Sequence, residues 1–312
     1  MPAVSSDPLP EQIAGYQVGD RLGSGSFGEV VAASRGDEEV ASKILYARHS
    51  GDAKIRSRFT TEARAGQAVH HPGVVRVLRD GVLEDGRPFL VMERLEGETL
   101  EQRLAREGRL SLEEALPILS GIADALDACH DAGIVHRDVK PGNVFLAQTG
   151  SALVPKLFDF GVAKIMTPEI ARTHQTRAGS AIGTPVYMAP EQSAGREVGP
   201  PSDIYALGVL AYEVLTGGPP FRGRTEPDLV HQHAAVAPEA PSRRTPLPES
   251  VDRALLLALE KDPAHRPASA AELVLELTAE PAPALPRARW ELGVALSVLL
   301  AVAALAWYRW GG

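Results

Sequence analysis

Polar and apolar residues alternate along the first third of the chain and follow a longer period afterwards. Between residues 16 and 95, this alternation and the β-branched residues predict strands, with one helix near Asp52–His70. From about residue 98 onwards, apolar residues recur every three or four positions, which predicts helices. The pattern therefore predicts an α+β fold with two lobes. A small β-rich lobe (16–95) carries one helix, a larger helical lobe (96–278) follows, and a hinge lies around Glu93–Glu98.

The two ends of the chain differ from this central part. Residues 1–15 are polar and contain proline, which predicts a flexible tail. A Pro/Ala-rich linker (279–290) precedes the segment 291–308, in which residues from Leu292 to Tyr308 carry no charge. This segment predicts one transmembrane helix followed by a short tail (309–312), and a buried terminal helix is the alternative.

The residues around this segment indicate how it would sit in a membrane. Aromatic side chains favour the headgroup region, and they cluster at both ends as Trp290, Trp307, Tyr308 and Trp310. Arg287 and Arg289 on one side, against Arg309 alone on the other, favour a cytoplasmic main domain, so we expect a single-pass protein of the cell membrane. A stripe of small residues predicts a homodimer, although an alanine-rich helix produces such stripes equally well by chance. The stripe consists of Gly293, Ser297 and Ala301.

Composition excludes several classes of protein. The 312 residues carry a formal net charge of −8, which argues against a sequence-independent nucleic-acid binder. The single cysteine, Cys129, excludes an intramolecular disulfide framework and a cysteine-rich zinc site, and it fits a reducing compartment.

The first chemical signal is a glycine-rich stretch, LGSGSFGEV, from Leu22 to Val30. In a dinucleotide-binding fold such glycines open a helix, whereas here the following residues, EVVAAS, alternate like a strand. The glycines therefore belong to the tip of a hairpin, where backbone amides can close over phosphates. A plain glycine-rich turn is the alternative.

The second signal is Lys43 within the apolar strand EVASKIL, where an ammonium group needs a partner. Glu62 supplies one, because it lies on the apolar stripe of the predicted helix 52–70. The other members of that stripe are Ile55, Phe59, Gly66 and Val69. An exposed pair between Glu62 and Arg58 is the competing arrangement.

The third signal is the segment HRDVKPGN (136–143), followed by KLFDFG and later by GTPVYMAPE. Asp138 and Asn143 on one loop, with Asp159 after a predicted strand, supply oxygen ligands of the kind that Mg²⁺ prefers. In this order, GxGxFGxV, Lys43, Glu62, HRDVKPGN, DFG and APE resemble the signature of the eukaryotic-type protein kinases. The resemblance covers residues 16–278. It is strongest to the bacterial Ser/Thr kinases, many of which carry a membrane helix after the kinase domain.

The resemblance implies ATP and Mg²⁺ as cofactors, with Mn²⁺ as the alternative ion, and it implies a role for each matching residue. Asp138 would accept the proton of the substrate hydroxyl, and Lys140 would neutralise the γ-phosphoryl group. Lys43 would bind the α- and β-phosphates, and Asn143 and Asp159 would hold the metal. The implied glycine-loop positions are Leu22, Gly23, Ser24, Gly25, Ser26, Phe27, Gly28, Glu29 and Val30. The implied adenine positions are Val30, Ala41 and Phe145, Met92 as the gatekeeper, and Glu93 and Leu95 in the hinge.

The resemblance also implies a substrate class and a switch. Lys140, together with Thr184 in GTP, is typical of kinases that act on Ser and Thr of protein substrates. Arg137 and Lys164 would bind a phosphate on the activation loop. The candidate autophosphorylation sites on that loop are Ser180, Thr176 and Thr173.

Three further residues match structural positions of the family. Glu191 and Arg266 match a buried ion pair that supports the substrate platform, and Asp203 matches the aspartate that holds the catalytic loop. Ser42 departs from the pattern, since an apolar residue usually precedes the lysine. No catalytic group is lost, which weakens the alternative of a catalytically inactive, membrane-anchored pseudokinase scaffold.

Overall fold

The computed structural model describes residues 7–25, 27–150, 152–159 and 185–279, and the backbone alone at residues 54, 58 and 62. The first lobe is built on a six-stranded antiparallel sheet with the strand order β1-β2-β3-β4-β6-β5. Its strands are β1 (Gln12–Ile13), β2 (Tyr16–Ser24), β3 (Gly28–Arg35), β4 (Glu38–Leu45), β5 (Val77–Val82) and β6 (Pro88–Glu93). The short helix α1 (Ala47–Ser50) and the longer α2 (Ala53–Ala68) follow β4. The predicted β-rich lobe with one long helix is therefore confirmed.

The two faces of this sheet are buried by different parts of the chain. On one face, α2 places Phe59 and Ala63 against Leu45 and Leu90. The other face carries a second apolar cluster, which we call the outer cluster. It consists of Ile13, Tyr16, Val31, Ala33, Val40, Ile44, Phe89 and Val91, with Leu9 packed against it.

The N-terminal residues 7–15 differ from the flexible tail expected from their sequence. Ile13 is only 1% exposed, and β1 pairs with the start of β2. The physical reason is that the sheet has a second apolar face, which Leu9 and Ile13 cover. A two-residue strand is too short to show a periodic pattern, so the sequence could not predict that these residues pack on the sheet.

The second lobe is helical, as predicted. Its core lies around α4 (Leu112–Asp131) and α6 (Pro200–Thr216). Most residues of α6 are buried. The expected capping box opens α4, since Ser111 and Glu114 each accept from the other's backbone N–H. The other α-helices in the described part of this lobe are α3 (Leu100–Glu107), α5 (Pro190–Ser193), α7 (Glu226–Ala235), α8 (Glu249–Ala258) and α9 (Ala270–Thr278).

A small three-stranded sheet presents the loop that carries the candidate chemistry. Its strands are β7 (Gly97–Thr99), β8 (Val144–Thr149) and β9 (Ala152–Leu157), in the order β7-β8-β9. A single 3₁₀ turn, Pro141–Asn143, leads into β8, and Asp159 follows β9 by two positions. The sheet thereby brings 138–143 and Asp159 to the same region of the fold.

The chain divides into two units after Thr278. Within the described ranges, no helix is both long enough and apolar enough to cross a bilayer. The predicted linker from residue 280 onwards, the predicted transmembrane helix 291–308 and the tail 309–312 all lie outside the described residues.

Candidate active site

The glycine-rich stretch forms the end of a hairpin, as its sequence context predicted. Strands β2 and β3 pair antiparallel, and Gly25 N donates to Gly28 O at 2.8 Å across the turn. A Cβ atom on Gly28 would lie 2.2 Å from the backbone oxygen of Ile44, so only glycine fits against the neighbouring strand there. Val30 lies opposite Lys43 in the ladder, and the two therefore share one face of the sheet.

Lys43 pairs with a carboxylate that comes from the other end of the site. Its Nζ lies 2.7 Å from Asp159 Oδ1 and 5.9 Å from the centre of the Phe59 ring. Glu62, the partner expected from sequence, lies on α2, but its side chain is outside the described part of the chain. The Lys43–Glu62 pair therefore stays a prediction, while the Lys43–Asp159 pair is observed.

Asp203 on α6 holds the loop between α4 and the 3₁₀ turn through hydrogen bonds to its backbone. Its two carboxylate oxygens accept from the backbone N–H groups of His136 and Arg137, each at 2.7 Å, and Oδ2 also lies 2.9 Å from His130 Nε2. These bonds support Arg137 in a left-handed conformation, with φ of 66°, that non-glycine residues rarely adopt. Asp203 thus makes the contacts expected of it from the sequence.

His136 connects this loop to the segment before Asp159. The imidazole is fully buried, and its Nε2 lies 3.2 Å from Phe158 O. Burial lowers the pKa of His136 despite the nearby carboxylates of Asp203, Asp138 and Asp159, so the ring is neutral at neutral pH. A neutral imidazole here serves as a packing and hydrogen-bonding group.

Asp138 lies at the centre of a compact group of three functional side chains. Its Oδ2 accepts from Lys140 Nζ at 2.8 Å and from Asn143 Nδ2 at 3.0 Å. Asn143 Nδ2 also donates to the backbone oxygen of Asp138 at 2.8 Å, because the 3₁₀ turn folds Asn143 back onto the loop. The carboxylate is thus fixed in orientation by two donors, which suits a group that must direct an incoming hydroxyl.

The donor set fits a divalent cation of the Mg²⁺ type. Because the amide nitrogen of Asn143 donates to Asp138, its amide oxygen is the atom that can face a cation. Asp159 supplies a carboxylate that is partly open to solvent. Both are hard oxygen ligands. Within the described ranges, no cluster of three or more His, Cys, Asp or Glu side chains could hold a metal ion.

The expected adenine positions lie on neighbouring strands. Ala41 on β4 is paired with Met92 on β6, and Ala41 and Lys43 face the same side of the sheet. Met92 borders a small cavity that also contacts Leu90, Phe158 and Asp159. Phe145 lies on β8, across from Thr99 of the small sheet.

The hinge contains an interaction that sequence reasoning missed. Glu93 Oε1 accepts from Lys156 Nζ at 2.8 Å and from the backbone N–H of Arg76 at 2.9 Å. These bonds tie the end of β6 to β9, and Leu95 follows after the strand. A lysine in the alternating strand ALVPKL was the available signal, but its partner is 63 positions away.

The expected buried ion pair between Glu191 and Arg266 is present. Arg266 donates from Nη1 and Nη2 to the two oxygens of Glu191, at 2.7 and 2.9 Å, and both side chains are buried. Burial alone would raise the pKa of Glu191, but hydrogen bonds from Arg266 and Ser202 outweigh it and hold that pKa below its usual range. Gln192, which sequence reasoning missed, donates from Nε2 to Arg137 O at 3.1 Å. It thereby joins helix α5, which carries Glu191, to the loop 136–143.

The side chain of Glu29 does not lie with the nucleotide-facing residues predicted around it. Alternation along β3 places Glu29 on the opposite face from Val30 and on the same face as Val31 and Ala33. Its carboxylate is buried and pairs with Arg21. Only its backbone could therefore take part in the glycine-rich hairpin's contacts with phosphates.

Some predicted residues lie outside the described part of the chain. They are Ser26 in the hairpin turn, Lys164, the loop residues Thr173, Thr176 and Ser180, and Thr184 of the platform. Their roles stay predictions.

Comparison with known proteins identifies the family. Residues 16–276 match the family described as "Protein kinase domain". The chain belongs to this family. It is 37% identical over 270 residues to serine/threonine-protein kinase pkn3 of Myxococcus xanthus, which covers 85% of this chain and 49% of pkn3. It is 40% identical over 263 residues to pkn2 of the same organism, which covers 83% of this chain and 31% of pkn2.

A solved structure shares the fold. The crystal structure of the Mycobacterium tuberculosis PknI kinase domain matches with a TM-score of 0.69 and 29% identity, covering 86% of this chain and 98% of that one. The chain spans less than half the length of the two curated relatives, pkn3 and pkn2. This kinase domain therefore accounts for a part of those proteins.

Proposed function

We propose that this kinase domain transfers the γ-phosphoryl group of Mg-ATP to Ser and Thr hydroxyls of proteins. The observation that carries the proposal is the fixed carboxylate of Asp138, which accepts from Lys140 and Asn143 on one loop. The charged pair of Lys43 and Asp159 lies in the same domain, and His136 interacts electrostatically with both Asp138 and Asp159. The relatives pkn3 and pkn2, which match most of the chain, are both named serine/threonine-protein kinases.

The residues divide the transfer step between them. The substrate hydroxyl oxygen attacks the γ-phosphorus, its proton passes to Asp138 Oδ, and the bond between the γ-phosphorus and the β-bridging oxygen breaks. Lys140 neutralises charge on the γ-phosphoryl oxygens, and Lys43 holds the α- and β-phosphates. Asn143 and Asp159 would hold the metal ion, which would supply positive charge against the phosphates. Positioning and charge neutralisation thus supply the catalysis.

A radiolabelled transfer assay tests the activity. The wild-type chain is incubated with labelled Mg-ATP and a mixture of Ser/Thr- and Tyr-containing proteins, and acid hydrolysis of the product identifies the phosphorylated residue. Asp138→Asn should lose transfer while still binding ATP, and exposed Asp131→Asn serves as the matched control. Wild type that binds ATP but transfers nothing with Mg²⁺ or Mn²⁺ would favour the pseudokinase scaffold.

Autophosphorylation of the activation loop is the proposed switch. Among the described residues, Arg137 Nε is buried and lacks a hydrogen-bond partner, so the guanidinium has capacity for a phosphate. Ser180, Thr176 and Thr173 are the candidate acceptors, and Lys164 is the second cation. Mass spectrometry of the active chain should find phosphate on this loop. A fully active, unmodified loop would reject the switch.

We also propose that residues 291–308 anchor the chain in the cell membrane, with the kinase domain cytoplasmic and the small-residue stripe supporting a homodimer. The uncharged run and its aromatic ends support this proposal. Membrane fractionation after alkaline extraction should retain the full chain and release a variant that ends at residue 290. Crosslinked dimer should fall in Gly293→Leu/Ser297→Leu if the stripe pairs, and unchanged dimer would reject it.

A further inference from the structure

The N-terminal residues make a set of contacts that the proposed kinase function does not explain. Asp7 Oδ2 accepts from the backbone N–H of Ala47 at 2.8 Å, where α1 begins. Arg87, which is only 3% exposed, donates from Nη2 to Pro8 O at 2.8 Å. We call residues 7–13 the N-terminal strap. It touches the start of α1 and the turn between β5 and β6, while Ile13 belongs to the outer cluster and Leu9 packs against it.

Arg21 joins this strap to the glycine-rich hairpin. Its Nη2 donates to Asp7 O at 3.2 Å, and its Nε lies 2.7 Å from Glu29 Oε2. Glu29 is 2% exposed and directly follows Gly28, the glycine that packs against the Ile44 backbone. A single guanidinium therefore links the N-terminal strap, the outgoing strand β2 and the returning strand β3.

This link lies at the point where the backbone pairing of the hairpin is irregular. The β2–β3 register shifts between Val18 and Arg21 and again between Arg21 and Gly23. Such irregularities disrupt the hydrogen-bonded ladder locally, so the backbone alone fixes the two strands less firmly there. The ion pair between Arg21 and Glu29 fixes the two strands at this position through their side chains.

The link acts from the side of the sheet that faces away from the nucleotide. Glu29 alternates with Val30, and Val30 shares the Lys43 face. Arg21 and Glu29 therefore do not touch the nucleotide, and any effect on it passes through the backbone of the hairpin. Within the part of the chain that the structure describes, Glu29 Oε1 has no hydrogen-bond partner, so this buried carboxylate depends strongly on its ion pair with Arg21.

We propose that Arg21 is a positioning residue that, with the N-terminal strap, holds the glycine-rich hairpin in its ATP-binding position. The inference rests on the proposed kinase function and deepens it. Loss of Arg21 should let the tip between Ser24 and Gly28 sample open positions, so ATP is bound less tightly. The residues proposed to act in phosphoryl transfer, Asp138 and Lys140, keep their positions.

The test measures KM for ATP and kcat separately in the full chain. Arg21→Gln and a deletion of residues 2–8 should each raise KM for ATP about three- to tenfold while kcat stays within about twofold. Arg21→Lys should recover part of the loss, because it keeps the charge toward Glu29. Arg21→Gln combined with Glu29→Gln should be no worse than Arg21→Gln alone, since the two residues act as one pair. Arg79→Gln, on an exposed arginine of the same sheet, is the matched control.

Amide hydrogen exchange gives a readout that needs no phosphate transfer. Exchange in residues 16–24 and 28–31 should accelerate in Arg21→Gln and in the deletion, while α6 stays protected. Unchanged KM and unchanged exchange would overturn the proposal. A rise in KM with an equal fall in kcat, accompanied by a lower Tm, would also overturn it. If wild type transfers no phosphate, the proposed function fails, but binding of a fluorescent ATP analogue and the exchange rates still decide the role of Arg21.

Discussion

The side-chain nitrogen of Lys43 lies 2.7 Å from Oδ1 of Asp159, although the two residues are 116 positions apart in the chain. One comes from the central strand β4 of the first lobe, and the other follows β9 after the catalytic loop. The contact brings together the cation that we propose to bind phosphates and the carboxylate that we propose to bind a metal. Asp159 has a positive φ of 57°, so the surrounding structure holds it in an uncommon backbone conformation.

Asp159→Asn should remove the charged metal ligand. We expect kcat to fall about 100-fold or more, because charge on the transferring phosphoryl group is no longer neutralised by a tightly held ion. A Mg²⁺ titration of the activity should also show a higher midpoint. Asp37→Asn, on the exposed β3–β4 turn, should behave as wild type. An unchanged Mg²⁺ midpoint would contradict the role of Asp159.

Asp203 and Asp127 allow the catalytic loop to be tested separately from stability. Asp203 caps His136 N and Arg137 N, whereas Asp127 caps Ala270 N and Ala271 N at the start of α9, each at 2.9 Å. An amide at either position keeps one acceptor oxygen and loses the other.

Asp203→Asn should lower kcat on the order of 10- to 100-fold, because the loop that carries Asp138 is no longer fixed. Asp127→Asn should cost stability of about 1–3 kcal/mol but leave kcat per folded molecule unchanged. Urea unfolding and active-site-normalised kinetics separate the two effects. A kcat per folded molecule that matches wild type in Asp203→Asn would show that Asp203 acts through stability alone.

The sequence predicted those parts of the site that have a periodic or spaced pattern. The hairpin, the inward face of α2 at Phe59 and the loop 136–143 follow from alternation, helical spacing and charge order. Long-range partners do not. Lys43–Asp159 and Glu93–Lys156 depend on how strands from distant parts of the chain align. Glu29 gave a usable signal, because it alternates in phase with Val31 and Ala33, which are buried.

Ser42 shows why a departure from a family pattern can be harmless. Its side chain is fully buried, yet Oγ donates to Leu90 O at 3.0 Å on the neighbouring strand β6. The hydroxyl is thereby satisfied, so the site tolerates it. Only the paired strand supplies this acceptor, and the sequence around Ser42 could not show it.

The buried ion pair of Arg266 and Glu191 should contribute strongly to the free energy of unfolding. Arg266→Met leaves the Glu191 carboxylate buried without its guanidinium, so the free energy of unfolding should fall by about 3–5 kcal/mol. Arg253→Met, which breaks the half-exposed pair with Glu276 at 3.5 Å, should cost less than about 1 kcal/mol. Urea titrations of both variants provide the measurement.

The double variant Arg266→Met/Glu191→Gln separates a buried charge from lost packing. It should recover part of the loss seen in Arg266→Met, because the uncompensated carboxylate is gone. A double variant that is less stable than Arg266→Met by the full cost of Glu191→Gln would show that the two residues act independently.

His233 on α7 should make the stability of the domain sensitive to acid. The ring is 1% exposed, and its Nδ1 lies 2.8 Å from the Tyr205 hydroxyl. Burial and the nearby charge of Lys261 lower the pKa of His233 to about 4, from 6.5 in the unfolded chain. Between these values the unfolded chain binds more protons than the folded one, so the free energy of unfolding falls as the pH drops from about 6.5 towards 4.

This contribution is absent above pH 6.5 and reaches on the order of 3 kcal/mol at the acid end. Carboxylates titrate in the same range, so the informative quantity is the difference between variant and wild type in urea unfolding at several pH values. His233→Gln should flatten the pH dependence, because glutamine can still bond Tyr205 but does not titrate. His231→Gln, on the exposed face of the same helix, should leave it unchanged. Equal slopes for wild type and His233→Gln would mean that His233 accepts its proton as readily in the folded domain as in the unfolded chain.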